Sequence, residues 1–120
     1  KVGYDAKFAT EFLQRMEGYG FDCEIVYQSP EVMNLPIKMV ESDLKSHHVA
    51  GLNALDRWCL SNACLKINSQ GNGLLVKADG LASRKIDGAV TLAIAYEMWR
   101  RNRTEFAAMT SALANRDNDP

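Results

Sequence analysis

The sequence predicts an α/β fold, on three observations. Strand-like residues at the start run directly into a helical pattern, a period-two segment follows two glycines, and a hairpin signal precedes the strongest helical pattern of the chain. With 120 residues, 47% of them hydrophobic and 24% charged, the chain has the length for one core and the composition of a globular domain. Low-hydrophobicity disorder is excluded.

Residues 1–4 read as a strand and place Asp5 at its carboxyl end. From Ala6 to Glu17, Phe8, Phe12 and Met16 recur at helical spacing with Leu13 beside them, and Gly18 and Gly20 supply the stop. Residues 21–28 alternate Cys23, Ile25 and Tyr27 against Asp22, Glu24 and Gln28, which predicts a second strand. A right-handed crossover would make the two strands parallel neighbours.

Ser29-Pro30-Glu31 has the order of a helix start, with Met33, Ile37, Val40 and Leu44 on one face. Pro36 is expected in the first turn of the main helix, with Asn34 as a second cap. After His47-His48-Val49-Ala50-Gly51, the residues Leu52, Leu55 and Cys59 predict a short helix. Residues 63–68 and 73–76 flank Ser69-Gln70-Gly71-Asn72, whose turn chemistry predicts a β-hairpin. Ser83 is then expected to cap a long helix with Ile86, Val90, Ala93, Ile94 and Met98 inward and Arg100 and Arg101 near its end. Residues 114–120, rich in Asn and Asp, are expected to form a flexible tail behind a domain of residues 1–113.

A net charge of −1 gives no global electrostatic footprint for nucleic acid, but Lys77, Arg84, Lys85, Arg100, Arg101 and Arg103 outnumber Asp79, Asp87 and Glu97 in their stretch. The three cysteines, Cys23, Cys59 and Cys64, form no CxxC pair and read as buried thiols. No apolar run approaches the roughly 18 to 20 residues of a membrane span, and no signal-peptide plan is present, so a soluble intracellular protein is expected. The absence of an initiator Met and the strand-like start suggest an excised piece of a longer protein.

Two acids stand out by position. Ligands of α/β sheets collect at the carboxyl ends of strands, where Asp5 sits, and Asp87 falls in the first turn of an apolar helix. The residues alone leave open a helix cap for Asp5 and a dipole-favoured first-turn carboxylate for Asp87.

Three segments in order narrow the reading: Val2-Gly3-Tyr4-Asp5-Ala6-Lys7-Phe8-Ala9, Asn53-Ala54-Leu55-Asp56-Arg57-Trp58-Cys59-Leu60-Ser61-Asn62, and Arg84-Lys85-Ile86-Asp87-Gly88-Ala89-Val90. With Gly71-Asn72 and Lys77 between the last two, the chain resembles the nuclease domain of bacteriophage large terminase subunits over residues 1 to about 101. Ala6-Lys7 stands where that family often has Pro-Trp, and Ala54 where it often has Pro; neither change removes an acid.

The resemblance implies the C-terminal part of an RNase H-like domain, a mixed sheet flanked by helices. It further implies a two-metal Mg²⁺ or Mn²⁺ site with Asp5 and Asp87 as catalytic metal ligands, and Lys77 and Lys85 as DNA-binding residues. The implied activity is cutting of concatemeric double-stranded DNA during packaging in the host cytoplasm, with the phage portal and the small terminase subunit as partners. A further acid would come from a strand upstream of residue 1, so the chain alone is expected to cut poorly, and its leading strand to have an open edge suited to a homo-oligomer. No G-x-x-x-x-G-K-[ST] loop is present, so ATP is not expected to bind here. The alternatives are another nuclease of the same superfold, such as a resolvase or a transposase-like protein, and a non-catalytic docking domain. His48, Asn62, Trp58 and Trp99 read as a surface histidine, a turn or backbone-bonding residue and two core or half-buried aromatics.

Overall fold

The computed structural model describes residues 1–7 and 9–118; Phe8, assigned above to the first helix, and the last two residues of the expected tail lie outside them. The architecture is mixed α/β. In chain order it runs β1 (Val2–Tyr4), α1 (Thr10–Gly18), β2 (Cys23–Ile25), α2 (Pro30–Lys45), α3 (Ala54–Ser61), β3 (Ala63–Ile67), β4 (Gly73–Lys77), α4 (Asp87–Arg101) and α5 (Arg103–Asp117).

β1 and β2 pair in parallel, Val2 opposite Cys23 and Tyr4 opposite Ile25, as expected of two strands joined through a helix. The helix starts later than its periodicity suggests. Asp5 Oδ1 accepts the Lys7 N–H at 3.2 Å, a local turn that competes with helix, and α1 begins only at Thr10 without a side-chain cap. Asp5 is therefore not the cap of α1.

β3 and β4 form the expected antiparallel hairpin, from Ala63 opposite Lys77 to Ile67 opposite Gly73. Among the described residues no ladder joins it to β1 and β2, so the single mixed sheet is corrected to two separate pairs. The physical reason lies at the end of β2. On the edge of β2 away from β1 the Ile25 carbonyl accepts from Arg101 Nη1 at 2.7 Å, so a side chain occupies an acceptor that another strand would need. The hairpin is tied to α2 instead, where Asn34 Oδ1 accepts the Gly73 N–H at 2.9 Å.

α2 runs unbroken from Pro30 to Lys45. Ser29 caps it as expected, accepting the Val32 N–H, but Asn34 is no second cap and Pro36 lies inside one continuous helix. Pro36 removes one helical donor and in exchange fills a fully buried position against the core. α2 ends with His48 N–H donating to the Asp43 carbonyl at 2.9 Å and His47 at φ 56, a left-handed stop usually given to glycine. α3 opens on a capping box. Asn53 Oδ1 accepts the Asp56 N–H at 2.8 Å, and Asp56 Oδ2 accepts the Asn53 N–H at 3.1 Å.

The core gathers Val26, Met33, Ile37, Ala93 and Met98, with Leu74, Leu75 and Ile94 packed against it. α4 contributes Ala89, Ala93, Glu97 and Met98 as buried residues, while Ile86, Val90 and Ile94 are half-buried. Ser83 does not cap α4, because the chain turns at that point, Arg84 N–H bonding the Leu81 carbonyl, and the helix starts at Asp87. The tail expected from residue 114 is helical to Asp117, in a segment of α5 rich in the helix-favouring alanine, although no residue of α5 is buried.

Two burial expectations change with this arrangement. Cys59 is buried, Cys23 half-buried and Cys64 exposed, the last because β3 shows most of its length to solvent. Trp58 and Trp99 are 44% and 42% exposed, and Arg103 covers the Trp99 ring at 4.6 Å from its centroid. Among the described residues, no helix is long and apolar enough to cross a membrane.

Candidate metal and nucleic-acid site

β1 lies along α4 in the opposite sense. Lys1 Nζ reaches Glu105 Oε2 at 3.5 Å beyond the carboxyl end of α4, whereas a Cβ built at Gly3 would meet Met98 Cγ at 2.5 Å and Ile94 Cγ2 at 2.8 Å. The chain therefore leaves β1 heading towards the amino end of α4. Glycine is needed at position 3 because the strand sits directly on the helix. Lys1, which also pairs with Asp22 and with Glu24 at 3.7 Å, fixes the other end of the strand. Its ammonium is held above the usual lysine value, first by the hydrogen bond to Asp22.

Asp5 follows β1 directly and Asp87 opens α4, and both are exposed. From the level of Ile94, Asp87 lies about 10 Å further along the helix at 1.5 Å per residue. Two extended residues carry the chain from Gly3 to Asp5 over about 6.6 Å. Asp87 is the first residue of α4, where the helix dipole favours a carboxylate.

A third acid, which the sequence does not mark as a candidate, approaches Gly88, the residue after Asp87. A Cβ built at Gly88 would lie 3.6 Å from Asp56 Oδ1, and Asp56 lines a groove with Leu52, Leu60, Gly88 and Thr91. Its other carboxylate oxygen is engaged in the α3 capping box. The helix-start pattern of Asn53 and Asp56 is legible in the sequence, but the approach of α3 to α4 is not.

By chemical type, carboxylate oxygens fit Mg²⁺ or Mn²⁺, and Mg²⁺ is commonly held by one or two carboxylates with the remaining positions left to phosphate and water. The donor count is low: among the described residues, no three His, Cys, Asp or Glu side chains form a group able to hold a metal.

Lys77 and Lys85 stand at the two ends of the β4 to α4 connection. Lys77 is the last residue of β4 and half-buried; Lys85 is exposed, two positions before Asp87. Asn62, 3% exposed, binds at both ends, its backbone carbonyl accepting the Ala78 N–H at 2.7 Å and its Nδ2 donating to the Lys85 carbonyl at 3.0 Å. This agrees with its reading as a backbone-bonding residue. His48 is exposed, as a surface histidine should be.

The far end of α4 is organised differently. Glu97 is 1% exposed, accepts from Arg100 at 2.9 and 2.6 Å, and accepts from Arg101 Nε at 2.9 Å. Burial alone works to raise its pKa, yet the two guanidinium groups together hold it below the ordinary glutamate value. A signal for it exists in the sequence, since Glu97 falls one turn beyond Ala93 on the apolar face with arginines at i+3 and i+4. On α2, Asp43 accepts the Tyr96 hydroxyl at 2.8 Å; burial first, and then this bond, push Tyr96 up to about 12.

Compared with protein-family models, curated proteins and solved structures, the chain matches none of them.

Proposed function

We propose that the chain is a divalent-metal-dependent endodeoxyribonuclease module of RNase H-like type, serving a phage DNA-packaging terminase on concatemeric double-stranded DNA. The observation that supports it most is the seating of β1 on α4, Gly3 lying against Ile94 and Met98, with Asp5 following that strand and Asp87 opening that helix. Parallel β1 and β2 joined through α1 agree with such a fold. On this reading Asp5 and Asp87 hold Mg²⁺ or Mn²⁺, while Lys77 and Lys85 bind phosphates as point charges. Bound metal supplies charge stabilisation to a phosphodiester displacement. The chain's own part is to hold two negative charges at a solvent-facing end and to orient the DNA backbone against them. The portal, the small terminase subunit and the host cytoplasm are the partners and the setting that this reading carries with it.

One observation favours a second reading, a docking domain without catalysis: the described residues contain no group of three metal-ligating side chains. Relaxation of supercoiled plasmid by excess protein with Mn²⁺ separates the two. Slow nicking that Asp87→Asn lowers by orders of magnitude is the expected result, since Asn keeps the shape and removes the charge. Nicking equal in the Asn variant removes Asp87 from the mechanism, and plasmid left supercoiled even by a version extended N-terminally by the missing strands favours docking.

A further inference from the structure

Residues 78–86, between β4 and α4, open on a single 3-10 turn at Ala78–Gly80 and run on without regular structure to Asp87, and most of them are exposed. Asp79 and Gly80 both have positive φ, 57 and 65, so the chain reverses sharply just after Lys77. Within the loop, Leu81 N–H donates to the Ala78 carbonyl at 3.3 Å and Arg84 N–H to the Leu81 carbonyl at 3.0 Å. No residue from 79 to 85 is buried. Left to these two local bonds, such a loop would be ordered weakly.

Its base is closed by one buried residue. Asn62 takes the Ala78 N–H on its backbone carbonyl and gives its amide to the Lys85 carbonyl, 23 positions away. The same residue ends α3, donating its own N–H to the Trp58 and Cys59 carbonyls. A single residue thus ties the end of α3, the start of the hairpin and both ends of the loop. The amide is the part a substitution removes: a shorter side chain at position 62 leaves the Lys85 carbonyl without that donor and opens space at a buried position.

We infer that Asn62 is a positioning residue for phosphate binding: by stapling the base of loop 78–86 it sets Lys77 and Lys85 at a fixed separation beside Asp87. The inference rests on the proposed binding of DNA and adds the residue that organises it. Arg84, exposed in the same loop, is carried along by the staple. Asn62 itself, being buried, does not touch the DNA.

The test reads binding and loop order separately, on the full chain without added metal. Binding to a short blunt double-stranded DNA is followed by anisotropy over a salt series for the unaltered chain, Asn62→Ser, Lys85→Gln and the double variant. Removing one lysine–phosphate pairing lowers the salt slope by about 0.9. Asn62→Ser is expected to lower the slope at least as much as Lys85→Gln, and the double variant to fall no further than Asn62→Ser, the non-additivity of two residues acting through one interaction. Amide exchange should quicken across residues 78–86 in Asn62→Ser and stay unchanged in β1 and α2. An unchanged slope in a folded Asn62→Ser, or effects that simply add, overturns the inference. If Asn62→Ser does not fold, Asn62→Asp, of the same size but with an acceptor facing the Lys85 carbonyl, takes its place under the same criteria. Failure of the unaltered chain to bind DNA overturns the nuclease reading, and the exchange measurement still reports on the staple.

Discussion

The two ends of α4 treat their acids in opposite ways. At the carboxyl end Glu97 is buried, and Arg100 and Arg101 hold it through three hydrogen bonds. At the amino end Asp87 is exposed, with no side-chain hydrogen bond or ion pair among the described residues; Asp5, after β1, is exposed as well and accepts the Lys7 backbone N–H. A carboxylate enclosed by its own arginines is a structural element, because an outside cation would have to displace them. Carboxylates turned to solvent retain their affinity for a cation. Position on a helix, and not residue type, separates the two roles.

The largest effect on stability should come from the enclosed acid. Glu97→Ala removes three charge-assisted hydrogen bonds and leaves space in the core, and is expected to cost about 2–3 kcal/mol in urea unfolding. Both arginines keep access to solvent, which holds the cost below that of a fully buried pair. A loss under about 0.5 kcal/mol would show that the carboxyl end of α4 is no more dependent on its acid than the amino end.

How much of this contrast is legible in the sequence follows from what kind of information each feature needs. The hairpin, the Ser29 cap and the parallel pairing of β1 and β2 rest on local chemistry or on a handedness rule, and all three are present. Pro36 inside α2 is not legible, since its place depends on a buried contact from elsewhere in the chain, and neither is the loss of the Asn34 cap to Gly73. The late start of α1 turns on one side-chain bond from Asp5 that periodicity does not register. For the candidate site, Asp5 and Asp87 are picked out by position and motif, whereas Asp56 enters only through the packing of α3 on Gly88. Glu97 is readable from its spacing, but only when charged residues are placed on the helix face and not merely counted by sign.

Seating β1 on α4 is what relates the two ends, and Gly3→Ala strains that seat. The added Cβ meets Met98 and Ile94, side chains already packed, so a loss of about 1–2 kcal/mol is expected from thermal or urea unfolding. A neutral result would mean that β1 can shift on α4 to admit the added Cβ.

The pH dependence of stability should show the same asymmetry. In the folded chain Glu97 is held below its ordinary value of 4.5, so its contribution is complete above that value and is lost as pH falls through the folded one. Tyr96 has the opposite sign. Raised from 10.0 to about 12, it contributes below pH 10 and loses that contribution as pH climbs towards 12. Glu97→Gln should flatten the acid limb of a stability profile and Tyr96→Phe the alkaline limb; limbs unchanged in these variants would contradict the assignments.

The smallest effect is the most discriminating for Asp87. As a first-turn carboxylate it gains about 0.3–1 kcal/mol from the helix dipole, so Asp87→Asn should lower stability by no more than that without metal. Metal binding adds a separate contribution. A ligand at tenfold its dissociation constant stabilises the folded state by about 1.4 kcal/mol, and only a chain that binds it responds. Unfolding of the unaltered chain and of Asp87→Asn, each with and without Mn²⁺, therefore divides a helix-end charge from a metal ligand. Equal shifts with Mn²⁺ would leave Asp87 as a dipole partner alone. A shift confined to the unaltered chain, beside a cost under about 1 kcal/mol without metal, makes the amino end of α4 a binding site in the sense that the Glu97 end is not.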